Sequence, residues 1–200
     1  MKRLQSAGGL VVSQKKEWGE ILTGFEGLNK YVVSDEHGRE LFFAAEEAGS
    51  VLARLFLKAY RPFSIDVLDR GGGTLLRIER PFRFYYHCAD IYDGAGRLVG
   101  RLERHFSVLK RLYSVLSPDG HKLFDLVGPL LHPWTFNILE RGRERGMIQK
   151  KWTGLLKEGF TDADNFGVTF PSNWPIESKT LALAAVFPID FVHFENKGNR

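Results

Sequence analysis

The chain has 200 residues, 44% of them hydrophobic and 26% charged, with a formal net charge of +4. That length and balance exclude global disorder and leave room for one domain with a sizeable core, but not for two ordinary ones. The single cysteine, Cys88, rules out an internal disulfide and gives no sign of an oxidising compartment, and so small a charge excess identifies neither a membrane nor a nucleic acid as partner.

Residues 1–17 read as an N-terminal tail or a first strand, 18–196 as a single domain and 197–200 as a C-terminal tail. The start of the chain carries charge but lacks the apolar stretch of a secretory signal, so the cytosol is the expected compartment. From residue 31 a unit recurs in which an apolar run meets a polar, glycine-containing turn and then resumes. Runs 31–33 and 41–43 flank a turn at 34–38, and 64–68 and 74–78 flank one at 69–73. The unit returns over 91–99, over 113–124, and over 136–148, where the turn passes through the basic stretch 140–146. The later turns lie roughly 24 residues apart, the length of two short strands with their connections. This is a meandering antiparallel sheet, and many short strands without intervening helices must close or stack to hide their edges. A closed barrel is the expectation; a two-sheet sandwich is the alternative that the hairpin pattern leaves open.

One segment breaks the pattern. Residues 180–189 are apolar on every side and rich in alanine and leucine, so they must be buried, in lipid or in protein. Lys179 and Asp190 bracket only ten residues, whereas a spanning helix needs about 20. A helix inside the protein is therefore expected, with Leu181, Leu183, Val186 and Phe187 as core residues. An interior proline costs about 3 kcal/mol, so Pro188 argues against one long helix. Residues 189–194 would then form a short strand or a further helical turn.

Basic side chains gather in two places: Arg97, Arg101, Arg104, His105, Lys110 and Arg111, and then Arg141, Arg143, Arg145, Lys150 and Lys151. Brought to one face they would make an electrostatic site for anionic headgroups; left apart, each is an ordinary solvated edge weakened by Glu103, Glu140 and Glu144. The histidines are scattered without metal-ligand spacing or a nucleophile beside them, so no hydrolytic or redox enzyme is read here. Gly94-Ala95-Gly96 has the wrong spacing for a dinucleotide loop and reads as a hairpin turn. The four tryptophans read as core and rim residues.

A longer pattern runs across these elements. It comprises Ile21-Leu22-Thr23-Gly24-Phe25-Glu26, Asn29-Lys30-Tyr31, Phe43-Ala44-Ala45-Glu46-Glu47, Arg61-Pro62-Phe63 and Glu79-Arg80-Pro81-Phe82-Arg83. It ends with the continuous stretch 148–171 around Lys150-Lys151-Trp152-Thr153-Gly154 and Asp162-Ala163-Asp164-Asn165-Phe166-Gly167. In order and spacing these blocks resemble the phospholipid scramblases, over about residues 20–195. The resemblance implies the tubby-like fold: mainly β, a closed antiparallel barrel of about 12 strands around a central hydrophobic C-terminal helix. It also implies calcium-stimulated, ATP-independent movement of phospholipids between leaflets. The expected partners are anionic phospholipids or phosphoinositides, met peripherally at the cytoplasmic face of a membrane; nucleic acid is not expected, and oligomeric state is open.

Carried over residue by residue, the resemblance makes Asp162, Asp164, Asn165 and Asn173 the candidate calcium ligands. Against an EF-hand loop, Asp162, Asp164 and Gly167 fit the first, third and sixth places, whereas Phe166 and Asn173 do not supply the fifth and twelfth. Any calcium binding is thus expected to be weak, and a polar turn before the strand 166–170 is the alternative. The lipid-binding candidates are Arg101, Arg104, Lys110, Arg111, Arg141, Arg143, Arg145, Lys150 and Lys151. The family's cysteine-rich, palmitate-accepting run corresponds to Phe84-Tyr85-Tyr86-His87-Cys88, which holds one cysteine; acylation and the family's proline-rich extension are not carried over. Two rival functions are a soluble lipid-binding or tethering module that moves nothing, and a protein or nucleic-acid scaffold.

Overall fold

A computed structural model describes residues 2–15, 29–47, 62–81, 88–150 and 165–194. The chain opens with a short helix α1 (Lys2–Gln5) and then runs through β1 (Gly9–Lys15), β2 (Lys30–Asp35), β3 (Glu40–Glu46), β4 (Phe63–Leu68), β5 (Thr74–Arg80) and β6 (Cys88–Asp93). It continues with β7 (Leu98–His105), β8 (Lys110–Leu116), β9 (Lys122–Pro129), β10 (Thr135–Glu140), β11 (Arg143–Lys150), β12 (Asn165–Thr169) and a final helix α2 (Ile176–His193). All strand pairs are antiparallel, each strand pairs with its neighbours in sequence, and β1 pairs with β12 to close the ring. The sandwich alternative is thereby set aside. The expected mainly β, tubby-like barrel of 12 strands around a hydrophobic C-terminal helix is the fold found. β1 is hydrogen-bonded between β12 and β2, so of the two readings of residues 1–17 it is a first strand, Gly9–Lys15, that the structure has there.

Up-and-down winding gives the barrel two unlike ends. Turns β2–β3, β4–β5, β6–β7, β8–β9 and β10–β11 lie at one, the turn end; the C-terminal ends of β1, β3, β5, β7, β9 and β11 lie at the other, the loop end, with the connections β7–β8 and β9–β10. Four of the turns are chemical copies. Asp35, Asp69, Asp93 and Ser117 each accept, on the backbone carbonyl, the N–H of a glycine three residues on: Gly38, Gly72, Gly96 and Gly120. Each of these glycines has φ between 77° and 86°, left-handed backbone in which any Cβ is strained. Each aspartate Oδ1 also accepts two N–H groups of its own turn, the local bonding that makes Asp a turn former. A register shift follows beside every one of them, so the extra residue is absorbed as a bulge. The β10–β11 turn differs: Arg141 (φ 50°) and Gly142 (φ 77°) form a two-residue turn. The stretch expected as a long basic turn is therefore mostly strand, with Arg143 and Arg145 on β11.

Strand alternation puts Leu76 and Ile78, Ile91, Leu102, Tyr113 and Val115, Phe124 and Leu126, Phe136 and Ile138, and Phe166 and Val168 into the lumen, all at most 2% exposed. The lumen is filled by α2, buried from Ser178 to Phe191, with Leu181, Leu183, Val186 and Phe187 at most 1% exposed. An all-round apolar helix is stable only when covered on all sides, which the barrel wall does. Gly100 lets it come close: a Cβ there would lie 2.6 Å from Leu181 Cδ2. Contrary to the expectation drawn from Pro188, α2 continues through it to His193. Burial of Ile189, Asp190 and Phe191 inside the barrel supplies packing beyond the proline that offsets the ~3 kcal/mol it costs.

Candidate functional site

The two basic clusters are not brought together. Arg141, Arg143 and Arg145 are exposed at the turn end, where Arg145 pairs with Glu140 at 2.8 Å. Arg104, Lys110 and Arg111 lie at the loop end of β7 and β8. Arg101 sits farther down the wall of β7, its Nε 2.5 Å from Asp90 Oδ1. Because the ends face opposite ways, no single flat surface can meet both clusters.

Arg111 has been put to another use. Its guanidinium donates to the carbonyls of Pro133 (2.7 Å), His132 (3.1 Å), Pro129 (3.3 Å) and Thr135 (3.4 Å), and its Cζ lies 4.4 Å from the centre of the Phe136 ring. The planar fork thereby gathers the carbonyls of the whole β9–β10 connection. Gly128, its partner across the β8–β9 ladder, makes room for it, since a Cβ there would sit 2.9 Å from Arg111 Nε.

Lys150 is no surface cation either. Its side chain is 8% exposed and its Nζ lies 3.3 Å from Asp190 Oδ1 on α2, above the rings of Phe166 and Phe194 at 5.2 and 4.9 Å. Tyr31 donates its hydroxyl to the other Asp190 oxygen at 3.0 Å. Two charges this deep are tolerable only because each has partners. Nearby, the Tyr113 hydroxyl meets His193 Nε2 at 2.7 Å, and burial pushes the Tyr113 pKa up to about 12. At the turn end the wholly buried Lys179 donates to the carbonyls of Gln5, Ala7 and Ser172 at 2.7 to 2.8 Å, and burial lowers its pKa. Lys179 and Asp190 had read only as the limits of an apolar run. A charged residue at each end of a segment too short to span a bilayer was the available sign that both ends seek polar partners inside a protein.

With this geometry in hand, the comparisons decide the family. The profile described as Scramblase matches residues 1–196. The chain belongs to the scramblase family. It is 32% identical over 204 aligned residues to phospholipid scramblase 1 of Mus musculus, an alignment covering 95% of this chain and 62% of the mouse protein. It is 31% identical to phospholipid scramblase 2 of Bos taurus, covering 93% of this chain and 68% of the bovine one. A protein of Arabidopsis thaliana solved by X-ray crystallography shares the fold, with a TM-score of 0.52 at 12% identity over 98% of this chain and 95% of the plant chain.

For this scramblase-family barrel the four-residue calcium set does not hold as one site. Asn165 opens β12 at the loop end, 2% exposed and opposite Ser13, whereas Asn173 is exposed beyond the other end of that strand. The strand from Asn165 to Thr169 alone spans about 13 Å at ~3.3 Å per residue, and ligands of one calcium ion lie at 2.3–2.6 Å from it, hence about 5 Å apart at most. Asn173 is therefore excluded from any site containing Asn165. Asp162, Asp164 and Lys151 lie outside the described residues, as do Phe84 to His87 of the run corresponding to the family's acylation segment. Among the described residues no three His, Cys, Asp or Glu side chains converge as a metal site, and no helix is long and apolar enough to cross a membrane.

Proposed function

We propose that this scramblase-family barrel works at membranes containing anionic phospholipid, phosphoinositides included, and moves phospholipids between leaflets without ATP and with calcium as a stimulus. The carrying observation is the family match over residues 1–196, together with relatives named phospholipid scramblases. The protein meets the bilayer peripherally, from the cytoplasmic face. Calcium enters as a weak ligand of Asp162 and Asp164 with help from Asn165, at a Kd of about 10⁻⁴ to 10⁻³ M, the weak end for oxygen-ligand sites. No hydrolytic or redox step is part of this reading.

A second reading is a lipid-binding or tethering module that moves nothing. It is favoured by the enclosure of α2, whose residues 178–191 are all buried by the wall and could enter a bilayer only if the barrel opened. Reconstitution into vesicles with fluorescent lipid separates the two. Dithionite bleaching beyond the outer-leaflet fraction, raised by calcium, is the expected result. Vesicle binding without extra bleaching selects the module, and a titration showing micromolar calcium binding abolished by Asp162→Ala and Asp164→Ala would overturn the weak-site assignment.

A further inference from the structure

Among the described residues, six large apolar side chains are exposed: Phe106 (81%), Val108 (74%), Leu109 (80%), Leu130 (56%), Leu131 (90%) and Trp134 (37%). All six sit on two connections, β7–β8 and β9–β10, at the loop end. Lys110 faces Pro129 in the β8–β9 ladder, so the connections leave the wall side by side, about 5 Å apart at their bases. Scattered exposed apolar residues need no explanation, but a contiguous group on adjacent loops marks an interaction surface.

The tip is built rather than slack. Arg111 draws four carbonyls of the β9–β10 connection inward. His132 N–H donates to Pro129 O, Thr135 N–H to His132 O, and Lys150 N–H to Trp134 O. The Trp134 ring stacks on Phe194, with centroids 5.4 Å apart and an interplanar angle of 17°. With the backbone polar groups turned in, Leu130 and Leu131 are left pointing out. Charge completes the pattern. The cations Arg104 and Lys110 flank the apolar group, and neither 104–111 nor 126–139 contains a carboxylate. An apolar tip flanked by cations complements one surface in particular, a hydrocarbon layer beneath anionic phosphates.

We propose that the loop end is the face with which this protein meets an anionic phospholipid bilayer, seating Phe106, Val108, Leu109, Leu130 and Leu131 at the boundary between headgroups and acyl chains, with Arg104 and Lys110 among the phosphates. The proposal rests on the lipid-facing reading above and adds which end carries it. It turns the barrel axis toward the membrane and leaves the turn-end arginines in water.

The test is co-sedimentation with vesicles of phosphatidylcholine and phosphatidylserine. Phe106→Ser/Leu131→Ser should lower the partition coefficient about tenfold or more, whereas Arg141→Glu/Arg143→Glu/Arg145→Glu should change it by less than about twofold. All the replaced side chains are exposed, so unchanged thermal transitions are expected. As a gain of signal, Leu131→Trp should be quenched by lipid carrying a shallow doxyl group, and Arg141→Trp should not. Vesicle binding by the unsubstituted protein that the loop variant leaves intact, or that only the turn-end variant loses, overturns the proposal and spares the lipid reading. No sedimentation of the unsubstituted protein overturns both. A dimer in solution that Phe106→Ser/Leu131→Ser dissolves, with vesicle partition unchanged, assigns the patch to a second copy and overturns the proposal as well.

Discussion

At the turn end, four hairpins close on the same three-residue spacing from Asp or Ser to a left-handed glycine, and their polar groups are satisfied within each turn. At the loop end, by contrast, polar groups are satisfied over long sequence distances: Lys150 to Asp190, Tyr31 to Asp190, Tyr113 to His193, and Arg111 to carbonyls up to 24 residues on. Apart from Lys179, which reaches back to Gln5 and Ala7, the turn end is therefore written in local chemistry, and damage to one hairpin turn should stay there. The other is written in tertiary chemistry, and damage should spread into the core.

The largest effect tests what both ends share. Deleting the chain from Ile176 onward empties the lumen, and the remaining strands should show no cooperative unfolding by circular dichroism; a transition like that of the intact protein would contradict the central role of α2. At the loop end, Asp190→Ala removes the buried carboxylate that Lys150 and the Tyr31 hydroxyl share, and urea unfolding should register a loss of about 3–5 kcal/mol. The double variant Lys150→Met/Asp190→Leu should recover much of it, because two apolar groups replace an ion pair. In the wall between the ends, Gly100→Ala should cost about 1–3 kcal/mol by overpacking, since its Cβ would meet Leu181 Cδ2 at 2.6 Å and Leu116 O at 2.9 Å.

At the turn end, Gly96→Ala and Gly120→Ala should each cost about 1–2 kcal/mol for left-handed backbone alone, with open space around both added methyls. The two losses should add in the double variant, as distant local sites do. The smallest effect is one of pH. Burial works to raise Asp35, but hydrogen bonds from the Arg39 N–H and guanidinium and the His37 N–H outweigh it and hold the carboxyl below 3.8. The Arg97 N–H and then its guanidinium do the same for Asp93. A carboxyl with its folded pKa depressed favours the native state above 3.8 and loses that contribution as pH falls through the folded value. Stability should therefore decline below about pH 3.8, and thermal melts of Asp35→Asn and Asp93→Asn should show a shallower decline.

These contrasts also govern what could be read without coordinates. The four hairpins from residue 31 to 124 were legible, because Asp- or Ser-to-Gly turns between alternating apolar runs are signals confined to a few residues, whereas the fifth was legible as a hairpin but its two-residue turn was not. The buried helix was legible from its all-round apolar face, but its length was not, because the propensity cost of Pro188 is set against packing that only the closed barrel supplies. The candidate site fared worse. Lys110 and Arg145 are both charged letters near a turn, yet they face opposite ends, because winding direction and strand count decide which way a residue points. Lys150 reads like Lys151 until Asp190, forty residues later, is known to reach it. Phe106, Leu109 and Leu131 carried a usable signal that sequence reasoning missed: large apolar residues at connections, where turn chemistry alone would place polar ones.

Closure of the ring has a consequence for the order in which the molecule can be assembled. Apart from the β1–β12 seam, every ladder joins strands adjacent in sequence, so a growing chain can curl its sheet as each hairpin emerges. The seam pairs Gly9 with Thr169 and Ser13 with Asn165, and α2, which fills the lumen it closes, follows both of its strands in the chain. Lys179 couples the two events. Its ammonium, carried in on the first turns of α2, is satisfied by the carbonyls of Gln5 and Ala7 just ahead of β1 and of Ser172 just past β12. The seam and the helix thus share one fastening, and a chain cut before α2 would lack the side chain that ties the segment ahead of β1 to the segment past β12.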